Sequence, residues 1–591
     1  MNYTPPLRDI QFVLHEILDA PRVFAAIPKF AEVNAELMDR IAIEAGRFAS
    51  EVLAPLNAVE DRIGCRLEEG LVKSPPGFAD AYRKYCELGW PGVSCDPAFG
   101  GQGLPQVMFA MVWEMLVAAN HSWTMYAGLT MCAHECLTAH ASQTLIDAYM
   151  PRIVSGEWTV TMDLSESQAG TDLGLIRMEA EQEDRATEQY RLSGSKIFVS
   201  AGDHDLADNI VHLVLARIKG APAGSKGLSL FLAPKHLPGN GGGNLRNAIS
   251  CERIEHKMGL AGNATCVMNF EGAVAWLVGE VNSGLACLFV MMNSARLQCG
   301  MQGLGHAEAA LQMSAGYARE RVQGRAPVRH EGVARPADPI DMHPGVRRLL
   351  LTQRAYAEGA RAVAYWVGLM LDIAKLHPDP EQRSRADALV SLVTPIVKAM
   401  LTEIGFNGAN LALQVFGGHG YISEFEIEQH VRDSRAGLIY EGTNEIQAID
   451  LLLRKVLANR GVDLEVLLQL IDGEAKVAAA LPRTRHFGER LALCASEVRD
   501  ATSSLIRAQA VVADAPYRVA SDYLGLLGHC VFAWFWAWSA RIAAAHGEAA
   551  GGFYRSKLAT ASYYFDYVLP KTAYHLAVIR AAAAPLEWPV N

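Results

Sequence analysis

One carboxylate in this chain stands where a base could work away from water. Glu441 lies between the aromatic Tyr440 and Gly442 in the run L-I-Y-E-G-T-N-E-I-Q, residues 438–447. The aromatic ring predicts shielding from solvent, and the glycine lets another molecule come close to the backbone. Burial disfavours the charged form of a carboxylate and so makes it a stronger base. This run therefore suits a base that stays dry while a substrate comes close.

Glu441 alone leaves an ordinary interpretation open. Thr443, followed by Asn444 and Glu445, also predicts a helix start, where a neighbouring glutamate would be a solvated charge. Five further segments bear on the choice. They are S-E-S-Q-A-G-T-D (165–172), K-I-F-V-S-A-G (196–202), N-S-A-R (293–296), Y-A-R-E-R-V-Q-G-R (317–325) and L-Q-V-F-G-G-H-G-Y (413–421).

The first of these segments is a loop of small hydroxyl residues and glycine, whose backbone N–H groups can approach a planar heterocycle or its phosphates. Phe198 offers an aromatic face for stacking. Arg321 carries a guanidinium, which binds phosphate oxygens in a bidentate way. Gly417 and Gly418 must end a helix and let a ligand approach the backbone. Taken singly, each of these segments also has an ordinary interpretation. Residues 165–172 suit a turn, and residues 196–202 suit a strand with an exposed serine. Residues 317–325 suit a solvated helix face, and residues 413–421 suit a glycine turn.

Together and in this order, the segments resemble the acyl-CoA dehydrogenases, flavoenzymes that remove an α-proton and pass a hydride to FAD. The resemblance covers roughly residues 35 to 455. Ser165 stands where the family usually has threonine, and Ser167 and Gln168 replace a Pro-Gly pair. Phe198 and Ser200 replace the tryptophan and threonine of a strand that lies against the flavin.

The resemblance implies a role for each matched position. Glu441 is the base. Ala295 stands where some members place their base, immediately before Arg296, and alanine cannot take a proton. The implied FAD contacts are Leu164, Ser165, Gly170, Thr171, Phe198, Val199, Ser200, Arg321, Gln323, Gln414, Gly417, Gly418, Thr443 and Glu445. The implied substrate contacts are Thr171, Asn293, Arg296, Tyr440 and Gly442. His419 is expected to be a packing histidine.

The implied reaction is α,β-dehydrogenation of an acyl-CoA to the trans-2-enoyl-CoA, a step of fatty acid β-oxidation, with electrons passed to an electron-transfer flavoprotein. In the family, the arginine matching Arg321 reaches the FAD of a neighbouring subunit, which implies a homodimer or a dimer of dimers. The extra C-terminal region and the start L-R-D-I-Q-F-V-L-H-E-I-L-D resemble a long bacterial subgroup. Its members act on fatty acyl-CoA or 3-methylmercaptopropionyl-CoA, and nothing in the residues selects between these substrates.

Three other functions remain as alternatives. An acyl-CoA oxidase would differ mainly in letting O₂ reach the reduced flavin. A DNA-binding flavoprotein relative would need a basic C-terminal surface, but residues 460–591 show only the short P-R-T-R-H stretch from Pro482. A catalytically inactive relative is disfavoured by the intact Glu441.

The elements that must position these residues follow from the periodicity. Helical patterns fill the first ~160 residues, strand patterns the next ~120, and helical patterns the rest. Asn209–Ile218 and Gly227–Leu232 predict strands, and Tyr190–Ser200 predicts two strands joined at Ser193–Ser195. The predicted class is mainly α with a central β domain. The predicted segments are 1–34 (N-terminal extension), 35–160 (helical), 161–282 (β), 283–456 (helical, catalytic) and 460–591 (C-terminal helical).

Composition excludes some function classes. A net charge of −11 over 591 residues disfavours non-specific nucleic-acid binding. The eleven scattered cysteines predict buried thiols in a reducing compartment, with no disulfide or metal. The most apolar run, Gly525–Ala540, is shorter than a membrane span and predicts a core helix. A cytoplasmic protein with no signal peptide and no integral membrane segment is expected.

Overall fold

The structure is a computed structural model, and it describes residues 3–184, 188–237, 245–329, 336–547, 551–584 and 586. Within these ranges the chain divides into two compact units. The first unit comprises Arg47–Leu104 and Ala119–Gln298. The second comprises Tyr3–Gly46, Pro105–Ala118 and the described part of Cys299–Asn591.

Helices dominate the described chain and flank one β-rich segment, which confirms the predicted class. The α-helices are α1 Leu7–Gln11, α2 Ala20–Ala25, α3 Ala35–Phe48, α4 Asn57–Ile63, α5 Phe78–Glu87, α6 Gln106–Ala119, α7 His121–Ala127, α8 Leu129–His140, α9 Gln143–Val154, α10 Gly284–Glu320, α11 Pro344–Leu376, α12 Pro380–Phe416, α13 Ile427–Arg435, α14 Asn444–Ile449, α15 Val462–Ala480, α16 Arg485–Val511, α17 Ala515–Arg518, α18 Ala520–Ala545, α19 Gly552–Tyr563 and α20 Lys571–Arg580. The strands are β1 Arg66–Glu68, β2 Leu71–Lys73, β3 Trp158–Asp163, β4 Glu179–Asp184, β5 Gln189–Ser200, β6 Asn209–Ile218, β7 Leu228–Pro234, β8 His236–Leu237, β9 Leu245–Arg246, β10 Ile249–Ile254 and β11 Thr265–Val278. The division into five segments stays a prediction.

The first unit contains a seven-stranded sheet in the order β10-β11-β5-β4-β6-β3, with β7 paired to both β11 and β6. Strands β3 and β4 run parallel to β6, and the remaining pairs are antiparallel. The residues of β7 are all buried, as are most of β6. Such continuous apolar runs are typical of strands covered on both faces. The strands predicted from these two runs are confirmed.

The two strands predicted within Tyr190–Ser200 are a single strand in the structure, so that prediction was wrong. Strand β5 runs unbroken through Gly194, which has a φ of 142° and lies opposite Phe270 of β11. The pairing shifts register between Glu271 and Ala273, beside this glycine. Glycine accepts the unusual backbone angle, and the extra residue of the bulge, Gly272, lies on β11, so β5 continues without a break.

The second unit is a stack of long helices. The side chain of Trp536 on α18 donates from Nε1 to the carbonyl of Ala355 on α11, at 3.2 Å. Trp534 of α18 packs edge-on against Trp366 of α11, with ring centroids 5.3 Å apart. Helix α18 is buried over almost its whole length. The core helix predicted at Gly525–Ala540 is therefore confirmed.

The N-terminal helix α1 and the residue that follows it, Phe12, contact helix α19 of the C-terminal region within this unit. Lys557 is buried and binds the carboxylates of Asp9 and Glu358, the second at 2.8 Å. The ring of Phe12 packs edge-on against Phe553 at 5.5 Å. Buried charges of this kind persist only when they are paired. The N-terminal extension is thus tied to the C-terminal helical region by a closed ion cluster.

One helical stretch of the described chain, Pro380–Tyr421, is long and apolar enough to cross a membrane by length and composition. Within its most apolar window, 78% of the residues are buried inside the protein. A buried apolar helix is typical of a protein core.

Candidate active site

The run around Glu441 forms a tight turn between α13 and α14. Both Glu441 and Gly442 adopt left-handed backbone conformations, with φ angles of 54° and 81°. Glycine takes this conformation freely, but a glutamate pays steric strain for it. Glu441 is half-buried, and its Oε2 atom is shielded from solvent. Non-glycine residues held in this way cluster at functional sites.

Three side chains that follow Glu441 hold this turn. Thr443 caps α14 by accepting from the backbone N–H of Ile446 at 3.4 Å. Asn444 is buried and accepts from Nζ of Lys398 on α12 at 3.0 Å. Gln447 donates from Nε2 to the carbonyl of Glu441 at 3.0 Å. The predicted helix start at Thr443 is therefore real, and it serves to anchor the turn that carries Glu441.

Tyr440 is held from the side of α10. Its hydroxyl donates to Oε1 of Gln302 at 2.7 Å. Burial, with smaller contributions from neighbouring Cys299 and Glu441, raises the pKa of Tyr440 well above its ordinary value. The hydroxyl therefore keeps its proton at neutral pH and acts as a donor to Gln302.

The second unit also contains a cavity beside the end of α10. Its volume is about 420 Å³, and its lining includes Tyr317, Arg321, Gln323, Gly417 and Gly418. Arg321 and Gln323 lie just beyond the end of α10 at Glu320, and not on the helix face that their spacing suggested. Backbone hydrogen bonds to Asp338 and Ile340 fix this segment.

Helix α12 ends at Phe416, as the glycines predict, and a 3₁₀ turn follows. A Cβ placed on Gly417 or Gly418 would have no described atom within 4 Å, so their backbone is open to a ligand. His419 stacks on Phe425 with ring centroids 4.4 Å apart and pairs with the hydroxyl of Tyr317 at 3.0 Å. The packing role expected for this histidine matches these contacts.

In the first unit, the loop after β3 is hydrogen-bonded to β5. The carbonyl of Ser165 accepts from the N–H of Ile197 at 2.9 Å, and that of Leu164 accepts from Nζ of Lys196 at 3.0 Å. Lys196 also pairs with Glu166 at 2.9 Å, and both side chains are buried. Glu166 accepts from two backbone N–H groups further along the loop as well. This pair, which sequence reasoning missed, fixes the shape of the loop.

Phe198 stands out on the same strand. Its side chain is 63% exposed although it is large and apolar, and its φ is 58°. The pairing of β5 with β11 shifts register at this point, which marks a bulge. Val199 is buried and can offer only its backbone to a ligand, whereas Ser200 is half-buried. The strand thus presents one aromatic face to solvent at the cost of backbone strain.

The segment Asn293–Arg296 lies on α10, within the first unit. Asn293 is exposed and Arg296 is half-buried. The hydroxyl of Ser294 donates to the carboxylate of Glu135. Ala295 is buried and carries no ionisable group.

The predicted residues thus fall into local groups. Tyr440, Glu441, Gly442 and Thr443 form one turn; Arg321 and Gln323 share a cavity with Gly417 and Gly418. Gly170, Thr171, Gln414 and Glu445 are exposed on their own segments. The individual contacts assigned to these residues stay predictions. Gln447 and Asn444 were missed although they lie within the quoted run, because their role depends on how the chain folds back.

These residues suit FAD, the cofactor that the resemblance implies. A guanidinium, an amide and an open glycine backbone share one cavity, and such donors bind phosphate groups. The exposed ring of Phe198 can stack on a planar heterocycle.

Four family models match the chain in succession. They are "Acyl-CoA dehydrogenase, N-terminal domain" over residues 39–157, "Acyl-CoA dehydrogenase, middle domain" over 161–273, "Acyl-CoA dehydrogenase, C-terminal domain" over 282–456, and "Acetyl-CoA dehydrogenase C-terminal like" over 467–587.

Two curated relatives cover nearly the whole chain. The chain is 39% identical to a 3-methylmercaptopropionyl-CoA dehydrogenase of Ruegeria pomeroyi, over 96% of each protein. It is 31% identical to the broad-specificity linear acyl-CoA dehydrogenase FadE5 of Mycobacterium tuberculosis, again over 96% of each.

Solved structures show the same fold. Caenorhabditis elegans ACDH-11, in complex with C11-CoA, matches with a TM-score of 0.74 and 19% identity, over 96% of this chain and 91% of that one. Butyryl-CoA dehydrogenase from Megasphaera elsdenii matches with a TM-score of 0.57 and 22% identity, over 70% of this chain and 96% of that one. From the relatives of high coverage and the successive family matches, we conclude that this chain belongs to the acyl-CoA dehydrogenases, FAD-dependent oxidoreductases that act on CH–CH bonds.

Proposed function

We propose that the protein dehydrogenates an acyl-CoA thioester to the trans-2-enoyl-CoA, with Glu441 as the base that removes the α-proton. The observation that carries this proposal is the left-handed turn that holds a shielded carboxylate within the matched catalytic domain. Ala295, at the other position where the family resemblance places a base, cannot take a proton.

The chain contributes position and polarity to this reaction. The α-proton of a thioester is weakly acidic, so the base must be dry and the carbonyl must be stabilised as negative charge develops. Glu441 takes the proton, and its own backbone N–H is the proposed donor to the thioester carbonyl. FAD, when bound, accepts the hydride from the β-carbon. Arg296, with Asn293 and Thr171, is proposed to contact the acyl-CoA.

The proposed substrate is 3-methylmercaptopropionyl-CoA, because the relative with 39% identity over the full length carries that name. A linear fatty acyl-CoA is the second candidate, favoured by the relative named for broad linear specificity. The two kinds of acyl chain differ little in shape, since a sulfur replaces one methylene of a short straight chain.

The proposed electron acceptor is an electron-transfer flavoprotein, and the alternative is O₂, as in an oxidase. The proposed assembly is a homodimer or a dimer of dimers, in which Arg321 and Gln323 meet the FAD of the neighbouring subunit. The other proposed FAD contacts are those named above on the loop after β3, strand β5, the end of α12 and the turn at Thr443. A cytoplasmic location remains an expectation.

An anaerobic titration of the bound FAD tests the proposal. Acyl-CoAs from C4 to C18 and 3-methylmercaptopropionyl-CoA are added in turn, and loss of the oxidised flavin absorbance is followed. Fastest bleaching by 3-methylmercaptopropionyl-CoA, with pentanoyl-CoA as the matched straight chain, supports the first candidate. Bleaching by none of them contradicts the proposed function.

The acceptor is tested on the reduced protein. Rapid reoxidation by an electron-transfer flavoprotein with little peroxide in air supports a dehydrogenase. Stoichiometric peroxide with no response to that flavoprotein contradicts it and indicates an oxidase.

A further inference from the structure

The side chain of Gln447 contacts the backbone of the turn that carries Glu441. It lies six residues after Glu441, on α14, and it is 0% exposed. Its Nε2 donates to the carbonyl of Glu441 at 3.0 Å and lies 3.5 Å from the carbonyl of Gly442. Glu441 and Gly442 are the two residues of this turn that have left-handed backbone conformations. One amide group thus faces both strained peptide units.

The orientation of this amide follows from its partners. Both neighbours are carbonyl oxygens, which accept hydrogen bonds, so the nitrogen and not the oxygen must face them. The Oε1 atom then points away, and within the described part of the chain it is buried without a hydrogen-bond partner. A buried acceptor left unsatisfied is costly. Gln447 is therefore expected to contribute little to the stability of the fold, because its oxygen has no partner among the described residues. Its nitrogen donates a hydrogen bond to the turn.

We propose that Gln447 is a positioning residue, which holds the backbone of Glu441 in the left-handed conformation that aims its carboxylate at the substrate. The proposal rests on the function of Glu441 proposed above. Misplacing a reacting group by about 1 Å can cost on the order of 100-fold in rate. Loss of the Gln447 donor is accordingly expected to slow proton removal while leaving the fold intact.

The test replaces Gln447 with methionine, which keeps the length of the side chain and removes the donor. The holoenzyme is mixed anaerobically with 3-methylmercaptopropionyl-CoA or pentanoyl-CoA, and flavin bleaching is followed at saturation. We expect a rate about 10- to 100-fold lower, a substrate dissociation constant changed less than about 3-fold, and a melting temperature within about 3 °C of the wild type. Amide exchange should become faster only in peptides that cover residues 438–447.

Gln353→Met is the matched control. Gln353 is also 0% exposed, and its Nε2 donates to a backbone carbonyl, that of Leu349 at 3.3 Å. Its Oε1, unlike that of Gln447, accepts from Ser314 at 2.9 Å. This variant is expected to lose stability and to keep the wild-type rate of bleaching.

Gly442→Ala is the second variant, in case Gln447→Met does not fold. An added Cβ would lie 2.9 Å from Nε2 of Gln447, and alanine is also strained at the φ of 81° found here, so both effects disturb the turn and a similar loss of rate is expected. Wild-type bleaching in either variant overturns the proposal, as does a loss of rate matched by faster exchange throughout the protein. If Glu441→Gln still bleaches normally, the proposed function fails instead, so the two failures are distinguishable.

Discussion

Two carboxylate sites in the second unit are built in opposite ways. Glu114 and Glu308 lie on the regular helices α6 and α10 and bind Arg361, which is 1% exposed, at 2.8 and 2.7 Å. The hydroxyl of Tyr365 adds a donor to Glu114 at 2.6 Å. Glu441, by contrast, is carried by a strained turn that is held through its backbone. The first arrangement pairs its carboxylates with a buried cation, and the second carries the carboxylate that we propose as the base.

The same contrast appears in the first unit. Lys196 and Glu166 form a closed buried pair, and two residues further along the strand Phe198 is exposed on a left-handed backbone. A buried ion pair and an exposed residue with a strained backbone thus lie two positions apart on one strand. Backbone strain of this kind is common at functional sites, and in the proposed function Phe198 and Glu441 are the residues that meet the flavin and the substrate.

Breaking the Arg361 cluster is expected to have the largest effect on stability. Arg361→Met leaves Glu114 and Glu308 buried without their cation, and such a loss costs about 3–5 kcal/mol in the free energy of unfolding. Urea unfolding measures it. Arg83→Met is the control, because Arg83 is an exposed residue paired with Asp80, and a change of about 0.5 kcal/mol or less is expected. Equal stability of the two variants would contradict the role assigned to the cluster.

Acid is expected to destabilise the protein through its buried histidines. Burial lowers the pKa of His204 and of His529 to about 3, from an ordinary value near 6.5. Below pH 6.5 the unfolded chain therefore binds protons that the folded protein does not, and stability is lost as the pH falls toward 3. Each histidine should cost about 1.4 kcal/mol per pH unit in this window.

His529→Gln tests this prediction by urea unfolding at pH 7 and pH 5. His529 is held by the hydroxyl of Tyr564 at 3.1 Å, so the variant is expected to be weaker at pH 7 but to lose about 2 kcal/mol less than the wild type on acidification. An unchanged pH dependence would show that this histidine does not resist protonation in the fold.

Relieving the backbone strain at Phe198 is expected to change the free energy of unfolding least. Unlike the changes above, it should raise that free energy. Phe198→Gly removes a left-handed non-glycine residue and should stabilise the apoprotein by up to about 1 kcal/mol. The affinity for FAD should fall about tenfold, because the stacking face is gone. Thermal melting of the apoprotein and fluorescence titration with FAD measure the two quantities.

Ala201→Gly is the matched control for that prediction. Ala201 also has a left-handed backbone, with a φ of 55°, but its side chain is buried and small. The variant should keep the affinity for FAD. An equal loss of FAD affinity in both variants would mean that the strand geometry, and not the ring of Phe198, holds the cofactor.

Much of the fold could be predicted from apolar patterns alone. The runs 209–218 and 227–232 and the core helix at 525–540 were recognisable because burial demands apolar residues in regular spacing. The break predicted at Ser193–Ser195 was wrong because Gly194 accepts an unusual φ and β5 stays paired with β11, whose bulge takes up the shift in register. That pairing is not a local property of the sequence. The hairpin β1–β2 was missed because each strand has three residues and faces mostly solvent.

The residue types of the candidate site could be recognised in the sequence, but their backbone conformations and contacts could not. The turn at Glu441 depends on a left-handed glutamate, which local preference argues against. The pair of Lys196 and Glu166 joins residues thirty positions apart, and only the packing of the loop on β5 brings them together. The positioning of Arg321 beyond the end of α10 likewise depends on backbone bonds to residues near Asp338.

The central claim is that Glu441 removes the α-proton, and one measurement tests it most directly. Glu441→Gln holoenzyme is mixed anaerobically with the acyl-CoA that bleaches the wild type fastest, and the rate of flavin bleaching is recorded by stopped flow. We predict retained FAD and retained acyl-CoA binding, with bleaching slower by about 10²- to 10⁴-fold. Bleaching at near the wild-type rate would contradict the account and require another base.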